Sequence, residues 1–340
     1  MTINGLSLTL LSASHQGEIP ELSEWLPEVS VRPIPIPTVC DRGVVKVLLA
    51  LPQCEDYPEL LRGTMAGIAA TNAAVRWQEK TYNVAGIESD RDDLHTLSLT
   101  FHADEVFPKS TDFSRAFHAT VLDWFRTADP VLSETLHKAD PMPLRLNYRT
   151  GNRGKTLQLY ISLLRGDILA SFLWGAGKSL GKRCTFVKTD CYLDPQLKII
   201  QATTWETLAA TESTASIAFN FHTPTSFKQD GNIQPFLWPQ LVFGSLLRRW
   251  NVLAPESLHL PIITDWSVRT AAYDLKTEAI YFNKAYQIGA TGWVRYEFPD
   301  PEQAAIASVL AAYAPFSGIG RKTAQGMGCV SLRPVPRKSG

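Results

Sequence analysis

The sequence predicts an α+β protein built of two tandem ferredoxin-like domains behind an additional N-terminal β/α extension. Three observations carry that prediction. From Leu94 onward the apolar spacing alternates between the strand period of two and the helix period of 3.6 in the order β-α-β-β-α-β, which is the ferredoxin-like order. A looser version of the same order begins at residue 199. Residues 1–93 differ from both in composition.

Within the extension, residues 18–43 hold five prolines (Pro20, Pro27, Pro33, Pro35 and Pro37), which resist helix and favour extended or looped chain. Val44–Leu51 is an apolar run of strand length. Tyr57–Ala74 sets Leu60, Leu61, Met65, Ile68 and Ala69 at helical spacing behind Pro58, a residue suited to a first helical turn. With a second strand over Arg76–Val84, this makes a small β-α-β unit, and the polar segment Glu88–Asp93 reads as a linker.

In the first domain, 94–198, Leu97, Leu99 and Phe101 alternate with Ser98, Thr100 and His102 as a half-buried strand does. Phe113–Ala128 follows as a helix carrying Phe117, Val121, Leu122, Trp124 and Phe125, and it stops before Asp129-Pro130. A short helix over Val131–Lys138, strands at Leu144–Arg149 and Thr156–Leu164, a helix around Asp167–Trp174 and a strand at Arg183–Tyr192 complete the unit. The second domain, 199–335, reads as strand Ala215–Phe221, helix Trp238–Trp250, two strands spanning Val268–Ala285 and Gly292–Phe298, helix Pro301–Ala314 and a terminal strand at Val330. Two such sheets in tandem line a cleft.

Composition bounds the function. With 45% hydrophobic and 19% charged residues the 340-residue chain is an ordinary globular protein. Its zero net charge is a sum of unlike parts: residues 1–93 hold 7 Lys+Arg against 13 Asp+Glu, and residues 94–340 hold 26 against 20. No run of about 18 uninterrupted apolar residues occurs, so no membrane partner is expected. The five cysteines are an odd number at spacings unlike a zinc or redox pair, and no N-terminal signal precedes them; a reducing cytoplasm is the expected setting. No carboxylate cluster has ligand spacing, and neither metal nor cofactor is expected.

The basic excess travels with a glycine-rich stretch, Phe316–Val330. Gly318, Gly320, Gly326 and Gly328 free the backbone for positive φ and close approach, and Arg321 and Lys322 supply cationic heads, a combination suited to a polyanion. On the glycines alone, a hairpin loop with glycines at its turns is the stronger reading. A mononucleotide P-loop is excluded because the Walker spacing is absent, and a dinucleotide fingerprint because no helix of useful length follows.

Five strings in order carry a family resemblance: Phe219-Asn-Phe-His-Thr-Pro-Thr-Ser-Phe-Lys228, Leu237-Trp-Pro-Gln-Leu-Val242, Ser245-Leu-Leu-Arg-Arg-Trp-Asn251, Gly289-Ala-Thr-Gly-Trp293 and Phe316–Val330. Over roughly residues 94 to 335 the chain resembles the repeat-cleaving endoribonuclease of CRISPR systems, the sixth protein of the Cas naming series. That family sits within the repeat-associated (RAMP) superfamily of tandem ferredoxin-like, RRM-like domains. Residues 1–93 lie outside the resemblance.

The resemblance implies a protein that binds the stem-loop of a CRISPR repeat in precursor RNA and cuts at the 3′ base of the stem without a metal. It implies attack of the ribose 2′-hydroxyl, a 2′,3′-cyclic phosphate, a 5′-hydroxyl and retention of the product. An alternative keeps the fold and drops the enzyme: a crRNA-binding structural subunit of a CRISPR effector complex, with acidic residues 1–93 docking partner subunits. The chemistry needs a proton acceptor, a proton donor and cations for the phosphoryl charge. His137, which resembles the position of the catalytic histidine in many family members, is expected as general base or acid, with His118 and, one helical turn before it, Arg115 orienting the scissile phosphate. His222 reads as a strand residue packed at the domain junction.

Beyond the glycine loop, the RNA-binding candidates are Lys228 after the Thr-Pro-Thr-Ser-Phe string, Arg248 and Arg249 on their helix, and Lys178, Lys182 and Arg183 around the glycine-bearing segment 175–181. Adjacent helical arginines point about 100° apart, so at most one of Arg248 and Arg249 faces a groove.

Overall fold

A computed structural model describes residues 2–41, 43–70, 73–108, 113–282 and 285–335. Among the described residues there are three main sheets, one per unit and alike in the order of their first three strands, and a separate two-stranded hairpin sheet. The N-terminal unit comprises β1 (Gly5–Ser12), α1 (Leu22–Trp25), β2 (Ile34–Asp41), β3 (Val44–Ala50), α2 (Tyr57–Ala70), β4 (Ala74–Trp77) and β5 (Lys80–Asp90) in the antiparallel order β2-β3-β1-β5-β4. The middle unit comprises β6 (Leu94–Ala103), α3 (Ser114–Ala128), α4 (Pro130–Lys138), β7 (Leu144–Gly151), β8 (Thr156–Leu163), α5 (Leu169–Gly177), β9 (Arg183–Phe186) and β10 (Thr189–Leu193), ordered β7-β8-β6-β10-β9. β11 (Lys198–Thr203) also pairs with β6, and the short α6 (Trp205–Ala209) leads into the third unit. That unit holds β12 (Ser216–Thr225), the hairpin β13 (Phe227–Gln229) and β14 (Asn232–Gln234), α7 (Pro239–Leu253), β15 (Arg269–Phe282), β16 (Ala285–Glu297), α8 (Pro301–Ser317) and β17 (Val330–Leu332), ordered β15-β16-β12-β17.

In each sheet the unit's first strand lies between its third and its last and the second is at the edge, the ferredoxin-like arrangement, with an added edge strand, β4 or β9, in the first two units. The sequence expectation is met for the second and third units and exceeded for the first. Residues 1–93 are more than a β-α-β unit: they form a complete ferredoxin-like sheet whose first helix has shrunk to the four-residue α1. The prolines explain both features. Pro20, Pro27 and Pro33 stand where a long helix would run. Pro35 and Pro37 share a parity in edge strand β2, and the Pro37 carbonyl turns outward to accept from Leu197 N at 3.1 Å, so both missing donors fall on the side away from β3. The segment 88–93 is not a free linker, since β5 continues through Asp90.

Three cores follow the three sheets. The N-terminal sheet has a second apolar patch, Ile36, Leu48 and Ala50, which joins the middle core against α5. Ser171 Oγ on α5 donates to the Pro52 carbonyl at 2.8 Å. The middle and C-terminal units meet where Leu94 and Leu164 enter the third core and buried Arg145 of β7 reaches across. Its Nε donates to the Phe316 carbonyl at 3.1 Å, its Nη1 to Cys329 Sγ at 3.1 Å and its Nη2 to Ser162 Oγ at 3.0 Å.

Candidate active site

α3 and α4 are separated by one residue. Asp129 ends α3 in extended backbone and caps α4, its Oδ1 accepting from Val131 N at 2.8 Å and Leu132 N at 3.0 Å, with Pro130 pre-set for the first helical position. α4 therefore turns back on α3, and Ser133 Oγ donates to the Leu122 carbonyl at 2.8 Å. The shallow groove between them is lined by Arg115, His118 and Thr120 from α3, Glu134 and His137 from α4, and Ser179 beyond α5. The rings of His118 and His137 are 6.2 Å apart between centroids. The three catalytic candidates thus come together, although the two histidines are 19 positions apart in the sequence.

His118 is half-buried and His137 exposed. His118 Nδ1 lies 3.0 Å from the Ala324 carbonyl oxygen. A carbonyl only accepts, so Nδ1 carries the proton, and in the neutral ring Nε2 keeps its lone pair for another partner. Burial, opposed by this bond and reinforced by His137, holds the His118 pKa below the ordinary histidine value. The groove's carboxylates are engaged on their own helices, Asp123 with Arg126 at 3.2 Å and Glu134 with Lys138 at 2.5 Å.

Ala324 belongs to the glycine loop, which lies against the start of α3. The glycines serve the loop's own packing. All four have positive φ, and a Cβ on Gly328 would come within 2.1 Å of the Ile319 carbonyl, one on Gly320 within 2.5 Å of that of Ser226. The loop amides are largely spent inside the protein: Ile319 N donates to Gly328 O at 2.9 Å, Arg321 N to Ser226 O at 3.0 Å, Gly328 N to Pro224 O at 3.2 Å and Cys329 N to Thr223 Oγ1 at 2.9 Å. The sequence-based assignment of Gly318, Gly320, Gly326 and Gly328 to RNA is corrected accordingly. Gly318, Gly326 and Gly328 are buried, Gly320 is packed against Ser226, and these residues shape the loop.

Arg249 is a second correction. It is 8% exposed and donates to the carbonyls of Ser317, Gly318 and Gly320, bracing the loop from inside. Arg248 points outward, as the 100° offset requires, and faces Asp140 at 3.6 Å, three residues past His137. Arg321 and Lys322 remain half-buried at the loop's rim, with Arg321 Nη1 donating to Gln287 Oε1 of β16 at 2.9 Å. Burial and the neighbouring Arg321 lower the Lys322 pKa.

Segment 175–181 is not a loop throughout. Gly175 and Gly177 end α5, and a Cβ on Gly175 would strike the Trp124 carbonyl at 2.0 Å, so that glycine sets the α3–α5 approach. Lys178, Lys182 and Arg183 line a depression that shares Thr120, Trp124 and Ser179 with the histidine groove and continues it. Lys178 Nζ sits 4.6 Å from the centre of the Trp174 ring. Lys228 is exposed on the β13–β14 hairpin. His222 is not packed away: it is exposed, bonds Ser331 Oγ at 2.8 Å, and has its pKa lowered by burial and then by Arg149 and Arg145.

Sequence reasoning missed the polar sheet faces. In Leu144–Arg149, Leu144, Leu146 and Tyr148 face the core while Arg145, Asn147 and Arg149 share the other face, a period-two pattern legible in the sequence; Arg145 and Asn147 are buried against Cys329 and Arg149 is exposed. Arg149 sits 5.6 Å over Tyr160 on the middle sheet, and Arg333 sits 4.4 Å over Trp293 on the C-terminal one. Among the described residues, one group of three side chains is spaced to share an ion, Asp90, Asp92 and His95; it lies where β5 meets β6, outside the histidine groove.

Fold and groove together define a protein of tandem ferredoxin-like units with a two-histidine groove, here with a third, N-terminal sheet. Residues 219–330 match the model of the family described as CRISPR-associated endoribonuclease Cas6. The CRISPR-associated endoribonuclease Cas6 of Mycobacterium tuberculosis (strain CDC 1551 / Oshkosh) is 30% identical over 136 residues, which are 38% of this chain and 43% of that protein. The matching segment thus spans less than half of the curated relative. Among solved structures, Thermus thermophilus Cas6 superposes with a TM-score of 0.57 at 22% identity, and a Cas6 product complex with 0.64 at 22%; each comparison covers 72% of this chain and 100% of the other. The resemblance to the CRISPR repeat-processing endoribonucleases is borne out, in sequence by the C-terminal segment and in fold by the tandem units. No described helix is long and apolar enough to cross a membrane.

Proposed function

We propose that this chain is an endoribonuclease that processes precursor CRISPR RNA, binding the repeat stem-loop and cutting at the 3′ base of its stem without a metal ion. The observation that carries the reading is the His118–His137 pair at 6.2 Å, with the His118 tautomer fixed by Ala324. Neutral His118 takes the 2′-hydroxyl proton on Nε2. The 2′-oxygen bonds to phosphorus as the bond to the 5′-oxygen breaks, and protonated His137 gives its proton to that leaving oxygen. The products are a 2′,3′-cyclic phosphate and a 5′-hydroxyl. Arg115 lines the same groove and supplies positive charge for the phosphoryl oxygens.

The stem's backbone runs from the Arg321–Lys322 rim toward Lys178, Lys182 and Arg183, and these contacts outlast the cut, so the product stays bound. The test is incubation of the full chain with a repeat transcript in excess EDTA, with the new 3′ end read by mass. Cutting to a cyclic phosphate is the expected result. Cleavage that EDTA abolishes and magnesium restores overturns it, and binding without any cleavage assigns the chain to the structural-subunit alternative.

A further inference from the structure

The β9–β10 hairpin carries two cysteines that the groove chemistry does not use. Cys184 and Cys191 are direct partners in its antiparallel ladder, and their sulfurs lie 3.4 Å apart. Directly opposed residues in such a ladder have Cα atoms about 4.5–5.5 Å apart, within the roughly 4.4–6.8 Å span of disulfides. The thiols differ in access. Cys184 is exposed and lines the depression of Lys178, Lys182 and Arg183, whereas Cys191 is buried. Burial and the adjacent Cys184 push the Cys191 pKa up to about 12, which keeps it a thiol. The connecting turn is two residues long, with Val187 at φ 49° and Lys188 at φ 63°, left-handed backbone that a β-branched valine disfavours.

We infer that Cys184 and Cys191 form a reversible oxidation site, closed to an intramolecular disulfide by a peroxide. The thiolate of Cys184 attacks the peroxide: an S–O bond forms, the O–O bond breaks, and Cys184 becomes a sulfenic acid with release of water or an alcohol. Cys191 sulfur then attacks Cys184 sulfur, the S–O bond breaks, and the hydroxyl leaves as water with the Cys191 proton. Two thiols lose two electrons to one peroxide. The bond staples the strand bearing Arg183 to its partner. It also fixes Phe186, whose ring lies 4.5 Å from that of Phe117, the residue before His118. Redox state thereby sets the rigidity of one wall of the groove.

The test uses the full chain. After treatment with hydrogen peroxide and tryptic digestion without reductant, cleavage at Arg183, Lys188 and Lys198 places the two cysteines on separate peptides, Cys184–Lys188 and Thr189–Lys198. The expected species is these peptides joined, two hydrogens lighter than their sum and separated by reductant. In C191S, dimedone captures a sulfenic acid on Cys184; in C184S, Cys191 stays reduced. Cys184 found only as sulfinic acid or as a mixed disulfide while Cys191 remains a free thiol overturns the inference, as does undiminished oxidation of Cys191 in C184S.

Discussion

His118 Nδ1 bonds the Ala324 carbonyl at 3.0 Å, tying the first long helix of the middle unit to the glycine loop of the C-terminal unit. A histidine on one sheet's helix thus takes its tautomer from the other domain's loop. That arrangement exists only when both units are docked.

The first prediction concerns pH. His118 must be neutral to accept a proton, and its pKa is lowered by burial, so cleavage falls only as pH drops below the ordinary histidine value of about 6.5. Single-turnover rates across pH 4.5–9 should show an acid limb that disappears in H118A. An acid limb that H118A leaves in place contradicts the assignment.

Arg249 is predicted to matter for folding rather than for RNA contact. R249M leaves three loop carbonyls without their charged donor, a loss on the order of 3 kcal/mol. Thermal unfolding should shift down by several degrees; a melting temperature equal to that of the parent chain contradicts the bracing role.

Arg321 and Lys322 are predicted to act on binding. The double variant R321A/K322A should weaken repeat affinity and reduce the slope of log K against log salt by roughly 1–2, one neutralised phosphate contributing about 0.7–0.9. Its rate at saturating RNA should stay near that of the parent. An unchanged salt slope removes these residues from the interface.

The N-terminal sheet is predicted to be a structural partner of the middle unit. A chain beginning at residue 94 would expose the α5 surface that Ile36, Leu48 and Ala50 cover, along with Ala170, which packs into the N-terminal core. It should be less stable and prone to association by light scattering. A monomer with unchanged unfolding temperature contradicts this.

Much of the fold was legible because period-two and period-3.6 patterns persist through β6, α3, β7 and β8, where each element has one apolar face. The N-terminal sheet was harder to read. β2 is written in prolines, and β3 is apolar on both faces because α2 covers one side and α5 the other, so neither alternates. His118, His137 and Arg115 were legible as candidates, but not their proximity, which depends on the single-residue turn at Asp129. The glycine loop was misread in one respect. Its glycines have positive φ as expected, yet the close approach they permit is to Ile319, Ser226 and Ser114 rather than to a ligand. A sequence states that backbone comes close to something; it does not state to what.

The most direct test of the two-histidine account is single-turnover cleavage of a repeat RNA whose scissile 5′-oxygen is replaced by sulfur. A thiolate leaves without a proton, so the donor becomes dispensable while the acceptor does not. On the natural linkage, H118A and H137A should each lose about 10²–10⁴-fold. On the sulfur linkage, H137A should recover to within a few-fold of the parent chain and H118A should stay slow. Equal rescue of both variants, or of neither, would contradict the account.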